Sequence, residues 1–369
     1  MTGPIEQIED IQQNIINEIQ NAQKNIRTDG YTMSIGEVLN LYRDGDMILD
    51  PAFQRLYRWK DEQKTKLIES ILIGIPIPEI FVAQKADSTW HVVDGVQRLS
   101  TILQLAGILN DYDPLVLQTC KYIPSIEGQT WNTLPLPVQR SFRRAKLKIS
   151  IILTQNSDEA QYELFQRLNT GGSALSTQEV RNCLMLMLNP DFFDVINELK
   201  NYENFKACLS LSDDDYKKEN HMELILRMFI GYENIIRYDD YGSIHSILMD
   251  DFIDKETIRL INSADIEKFK IIFKRTFDKL KNCLGKLSFD KYNVPSDKFK
   301  GGFNVSVFEM LTIGISSNIN NIEQLGNEQL IAKIKEIYNT PEIQSSLGRG
   351  VRAIKRFKTV TEFTKVYFE

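Results

Sequence analysis

Histidine is scarce: His91, His221 and His245 are the only three in 369 residues. None stands with a second histidine or a cysteine at ligand spacing, so a metal-dependent nuclease with a histidine base has no residue set to build on. His91 falls within an apolar extended run, where a core or sheet-surface imidazole is the expected role. Cysteine is almost as sparse. Cys120, Cys183, Cys208 and Cys283 are far apart, form no C-x-x-C pair and sit among apolar residues, as reduced core thiols do. Neither a disulfide nor a cysteine-held zinc is expected. No apolar run approaches the roughly 20 residues that span a bilayer. The opening "MTGPIEQIEDIQQNIINEIQ" is acidic and amide-rich where a signal or transit peptide is basic, so a cytoplasmic chain without a membrane partner is expected. Also missing are the phosphate loop G-x-x-x-x-G-K-[ST], the nucleophile turn G-x-S-x-G and the zincin H-E-x-x-H. Their absence removes the Walker triphosphatases, the α/β-hydrolases and the zinc proteases of that motif.

What is present is the mixture of a globular protein, 42% hydrophobic and 25% charged, long enough for two domains or one large one. The net charge of −6 argues against a general basic coating for nucleic acid, but averages hide patches. Two basic clusters stand out. "QRSFRRAKLK" holds Arg140, Arg143, Arg144, Lys146 and Lys148, and reads more readily as a solvated face. "GRGVRAIKRFK" holds Arg349, Arg352, Lys355, Arg356 and Lys358 with no acid between them. It is the candidate DNA-binding segment, with a solvated helix face as its bland alternative.

Periodicity predicts an α+β fold, a mixed-sheet domain followed by an all-helical one. Residues 5–26 repeat isoleucine at helical spacing among Gln, Asn and Glu, an amphipathic helix that packs on its own domain or makes a homodimer or partner contact. "TDGYTMS" reads as a turn and strand, and "SIGE" at Ser34–Glu37 as a capping box opening a helix to about Tyr42. Asp61 is the expected cap of a helix whose Leu67, Ile68, Ile71, Leu72 and Ile75 form one stripe. "EIFVAQ", "STWHVVD" and "KLKISIILT" read as strands, and "VQRLSTILQLAGIL" as a helix. Ser157 is the expected cap of a helix that ends in the turn "NTGG", and "STQE" at Ser176–Glu179 is a second capping box. Beyond about residue 186 the pattern is helical, with "LSDDDYKKEN" and "DKYNVPSDKFKGG" read as exposed loops. The domains expected are 1–30 for the first helix, 31–185 for the mixed-sheet domain and 186–369 for the helical one.

The stretch "WHVVDGVQRLSTILQLAG" carries the chemistry. A glycine turn from a strand into a helix exposes unpaired N–H donors at the positive end of the helix dipole, a ready anion site. Gly95 supplies the turn, Arg98 can add forked donors to the same anion, and Asp94 is placed to hold magnesium or orient water. The other reading is as well supported by the residues alone: Asp94 caps the helix, and Arg98 pairs with it or with a surface glutamate.

These residues resemble the D-G-Q-Q-R motif of the ParB/sulfiredoxin-like family that includes the S half of the GmrSD type IV restriction enzymes. "PAFQRLYRW", "LIESILIGIPIPEIFV" and "LFQRLNTGGSALSTQEVRNCL" resemble three further elements of that family in the same order, so the likeness covers about residues 31–185. It implies a ParB/sulfiredoxin-like fold and a nucleoside triphosphate site with magnesium, in which Asp94, Gln97 and Arg98 are the catalytic set, Asp94 the metal ligand, and Gly95, Val96 and Arg98 hold the nucleotide. Gln54 and Arg55 match the upstream element, Arg55 as a second phosphate or DNA-backbone contact; the alternative is that Gln54 serves buried backbone and Arg55 pairs with an acid such as Glu69. The chain departs from the motif at Val96, where the family has its first glutamine, which puts hydrolysis in doubt. Arg167 and Arg181 flank the "NTGG" turn, from which they could reach an anion.

Enzymes of this group carry their nuclease in a separate domain, and with so few histidines no nuclease is expected in this chain. Two functions follow. One is a magnesium-dependent nucleoside triphosphatase in DNA-related, modification-dependent phage defence, acting with DNA and a separate nuclease partner. The other is a non-catalytic module that senses nucleotide or DNA.

Overall fold

The computed structural model describes residues 12–20, 28–49, 59–85, 87–153, 176–233, 236–241, 247–348 and 350–369. The chain forms two compact units, 1–174 and 175–369.

In the first unit the described strands β1 (Thr28–Ser34), β2 (Met47–Ile48), β3 (Ile80–Gln84), β4 (Trp90–Asp94) and β5 (Lys146–Ile152) make one mixed sheet in the order β1-β5-β3-β4-β2. The β1–β5 and β3–β4 pairs are antiparallel; β3–β5 and β2–β4 are parallel. The helices are α1 (Ile35–Asp44), α2 (Asp61–Leu72), α3 (Val96–Leu105) and α4 (Leu136–Arg144). Ile35, Val38 and Leu39 of α1, Leu67, Ile68 and Ile71 of α2, and Leu99, Ile102 and Leu103 of α3 are buried. Each such side chain contributes at most about 1.5–3 kcal/mol.

Local chemistry sets the ends of these helices. Ser34 caps α1, its Oγ accepting the Glu37 N–H at 3.2 Å. Gly45, left-handed at φ 82°, closes it. Asp61, expected as the cap of α2, is instead its first residue: Lys60 takes the cap position, and Asp61 lies in the first turn, 3.0 Å from Lys64 Nζ. An acid there still meets the positive end of the helix dipole. Ile75, expected in the apolar stripe, lies past the end of the helix and is exposed. Residues 12–20 are helical and exposed throughout, with Ile15, Ile16 and Ile19 each about half accessible.

Among its described residues the second unit is helical apart from one hairpin. Its helices are α5 (Thr177–Leu188), α6 (Pro190–Lys200), α7 (Glu203–Cys208), α8 (Asp213–Lys217), α9 (Asn220–Glu233), α10 (Met249–Ser263), α11 (Ile266–Cys283), α12 (Val305–Ser317), α13 (Ile319–Ile322), α14 (Asn327–Ile337), α15 (Pro341–Ser346) and α16 (Ala353–Tyr367). Ser176 and Glu179 form the capping box reciprocally, Oγ accepting the Glu179 N–H at 3.2 Å and Glu179 Oε2 the Ser176 N–H at 2.8 Å. Phe205, Phe273, Phe277, Phe289 and Phe308 pack ring on ring at the centre.

Both segments expected as loops carry structure. "LSDDDYKKEN" contains α8, opened by a capping box in which Asp215 stands where a glutamate is usual. "DKYNVPSDKFKGG" contains β6 (Lys291–Asn293) and β7 (Lys298–Lys300), antiparallel strands too short for alternation to show in the sequence. All four cysteines are free thiols; Cys183 and Cys208 are buried, and burial pushes the Cys208 thiol up to about 11. Among the described residues no helix is long and apolar enough to cross a membrane.

Candidate anion site at the start of helix α3

Strand β4 ends at Asp94, Gly95 turns the chain at φ 88° and ψ 12°, and α3 begins at Val96. Only glycine suits this corner. Its conformation is left-handed, and a Cβ added there would stand 2.9 Å from Ile80 Cγ1 and 3.1 Å from Arg98 Nη2. The first helical bond runs from the Leu99 N–H to the Gly95 carbonyl, 2.8 Å, so the amides of Val96, Gln97 and Arg98 precede the ladder. Gly95, at the cap position, has no side chain with which to cap them.

Arg98 folds back over this corner. Its Nη2 donates to Asp94 Oδ2 at 3.0 Å and to the Glu79 carbonyl at 2.9 Å, while its Nε is buried with no partner among the described residues. The Arg98–Asp94 pair is what the second of the two readings expected; its other half, Asp94 as the helix cap, is not seen, the cap position being Gly95. The pair is only partly shielded, Arg98 being 16% exposed and Asp94 29%.

Glu79 is a residue that sequence reasoning missed. Its carboxylate Oε2 accepts from Ser150 Oγ at 2.6 Å and pairs with Lys148 Nζ at 2.9 Å. The Ser150 hydroxyl and the Lys148 ammonium hold its carboxyl below the usual value of 4.5. Register explains the meeting: Phe81 of β3 stands beside Ser150 of β5 and opposite Asp94 of β4, so Ser150 and Asp94 share a face of the sheet. In sequence Glu79 is one acid between two prolines and a strand, and nothing in its spacing marks it.

The remaining candidates fall in several places. Val96 is only 8% exposed. Gln97 Oε1 accepts the Trp59 N–H at 3.2 Å. Gln54, Arg55, Ser157, Arg167, the "NTGG" turn and Arg349 lie outside the described residues. Glu69, the acid considered as a partner for Arg55, accepts the backbone N–H groups of Tyr122 and Ile123. Among the described residues there is no group of three or more His, Cys, Asp or Glu able to hold a metal ion.

The C-terminal basic cluster opens α16 and is divided by its surroundings. Arg352, at the cap position, and Lys355 are exposed. Arg356 turns inward, its Nε 3.8 Å from the fully buried Glu309 carboxylate, and the Lys358 ammonium lies 4.8 Å over the Tyr238 ring. Arg181 does not serve an anion. It is fully buried, with Nε 2.6 Å from Asp254 and Nη1 2.6 Å from Gln178 Oε1 and 3.3 Å from Glu223.

The first unit is thus a mixed sheet whose strand β4 leads through a glycine corner into a helix with an arginine in its first turn. Residues 35–186 match the model of the family described as GmrSD restriction endonuclease, N-terminal domain. The matched stretch runs from α1 to near the end of α5. No curated protein and no solved structure matches the chain.

Proposed function

We propose that the chain binds a nucleoside triphosphate at the start of α3 and serves DNA restriction in phage defence, with cleavage left to a partner nuclease. The observation that carries this reading is the Asp94–Gly95–Arg98 corner, where a left-handed glycine opens α3 and the Arg98 guanidinium folds back to Asp94 beside it. Phosphate oxygens would accept from the Val96, Gln97 and Arg98 amides, with Arg98 turning from Asp94 to add charge-assisted donors. The likeness of these residues to the D-G-Q-Q-R motif supports it, as does the unpartnered Arg98 Nε.

Asp94 offers one partly exposed carboxylate, a donor set that suits magnesium, which is commonly held by one or two carboxylates together with substrate phosphates and water. Bound there, the ion would neutralise phosphate charge.

A second reading, binding without turnover, has its own support. Val96 is an apolar, buried side chain that cannot orient water, and the Gln97 side-chain oxygen is engaged by the Trp59 N–H. Calorimetry with ATP, GTP, CTP and UTP in magnesium, beside assays for released phosphate, separates the readings. Binding that Arg98→Ala weakens about tenfold or more, together with phosphate release, supports the triphosphatase; the same binding without release, DNA being present, selects the sensing module. No binding of any of the four overturns the site.

A further inference from the structure

We infer that the exposed cations of α4 and the start of β5 form a face that binds the phosphate backbone of duplex DNA. This goes beyond the nucleotide reading and does not depend on it. Arg140, Arg143 and Arg144 recur three and four residues apart and so lie on one side of α4, and all three are exposed. Ala145 then leads straight into β5, where Lys146 and Lys148 point outward, alternating with the buried Leu147 and Ile149. The result is a row of cations at intervals of about 5–7 Å.

Among the described residues the row is largely unpaired. Among the described residues no acid lies within ion-pair distance of Arg140, Arg143, Arg144 or Lys146; Lys148 alone has one, Glu79. In a chain of net charge −6, other cations such as Arg259, Lys270, Lys274, Arg275 and Lys335 each hold a carboxylate. The row contrasts also with the C-terminal cluster, where Glu309 and Tyr238 occupy two of the cations. Across a cleft of about 350 Å³ from Arg143 stands a further exposed arginine, Arg43, with Asn40 and Ser34 as polar lining and Glu37 as the one acid in the lining.

Duplex DNA fits this face better than single strands do. Readers of unpaired bases present open aromatic rings on which the bases stack. Here Trp131 is occupied on both counts, edge-to-face with Phe142 at 5.6 Å and under the Arg143 guanidinium at 5.7 Å. What remains is regularly spaced positive charge, which reads backbone and not sequence.

The test is fluorescence anisotropy of the full chain with a labelled random-sequence duplex, titrated at several KCl concentrations. About four neutralised phosphates predict a slope of about −4 in log affinity against log salt, at about 0.9 per phosphate. The variant Arg140→Gln/Arg144→Gln/Lys146→Gln removes three exposed charges without touching the Trp131 stack, so its thermal melt should match that of the parent. It is expected to bind at least about tenfold more weakly at 0.1 M salt and to flatten the slope by about 3. Arg352→Gln/Lys355→Gln is expected to stay within twofold of the parent. The inference is overturned by a folded triple variant with unchanged affinity, by no duplex binding at low salt, or by tighter binding of single-stranded RNA or of acidic phospholipid vesicles.

Discussion

Arg98 and Glu79, nineteen positions apart in the chain, meet at 2.9 Å, the guanidinium Nη2 donating to the glutamate's backbone carbonyl. The same nitrogen reaches Asp94 at 3.0 Å, so one atom ties the start of β3 to the end of β4 across the corner where α3 begins.

Arg98→Ala removes a charged donor from the proposed phosphate position. Hydrogen bonds to charged groups contribute about 1.5–3 kcal/mol, so nucleotide affinity should fall roughly tenfold to a hundredfold by calorimetry. Stability should change far less, by about 1 kcal/mol in urea titrations, because Asp94 retains access to water. Arg98→Lys should not restore binding, since an ammonium lacks the planar fork of the guanidinium.

Gly95→Ala meets two penalties at once. The left-handed backbone costs about 1–2 kcal/mol for a residue with a Cβ, and that Cβ would press on Ile80 and on the Arg98 guanidinium. Urea unfolding should register both, and calorimetry should show weakened nucleotide binding. Gly95→Asn tests the distinction: asparagine tolerates the backbone angle, yet its Cβ still meets Ile80, so rescue should be partial at most.

The depressed Glu79 carboxyl predicts a specific acid sensitivity. A carboxyl lowered in the fold contributes stability that is present above its unfolded value, 4.5, and lost as pH falls through the folded value. Ser150→Ala removes the largest cause of the depression, so the Glu79 titration should move up toward 4.5 in carbon-detected NMR. The loss of stability on acidification should still begin near 4.5 but be smaller and be complete at a higher pH. Glu79→Gln should erase that component of the pH dependence and leave the neutral-pH fold intact.

In the second unit, Arg181→Ala would take the bonded guanidinium away from the buried Asp254 carboxylate. Removing one member of a buried pair costs about 3–5 kcal/mol, enough to lower the denaturant midpoint of this unit sharply. The double change Arg181→Met/Asp254→Leu should cost less than Arg181→Ala alone, because the buried carboxylate leaves with its partner. An equal or larger loss in the double variant would show that the pair itself, and not the charge left behind, sets the energy.

The corner at Gly95 was legible because its determinants are local: an apolar run, an Asp-Gly break and an amphipathic helix, all within eighteen consecutive residues. Ser34 and Ser176 were legible for the same reason, a cap being a matter of three or four positions. What escaped depends on distance. Ser150 reaches Glu79 from 71 positions away through strand pairing, and Asp254 reaches Arg181 from 73. Neither partner leaves a periodic trace. The hairpin of β6 and β7 was read as a loop because three-residue strands are shorter than the alternation by which strands are recognised.

The strand order has a bearing on how the protein is made. The last of this sheet's described strands to leave the ribosome, β5, is inserted between β1 and β3, so β1 waits unpaired while more than a hundred residues are synthesised after it. A nascent chain stopped ahead of Lys146 would hold the β4 corner and its arginine, yet would lack the hydroxyl and the ammonium that grip Glu79. Translation must therefore pass Ile152 before this sheet can close.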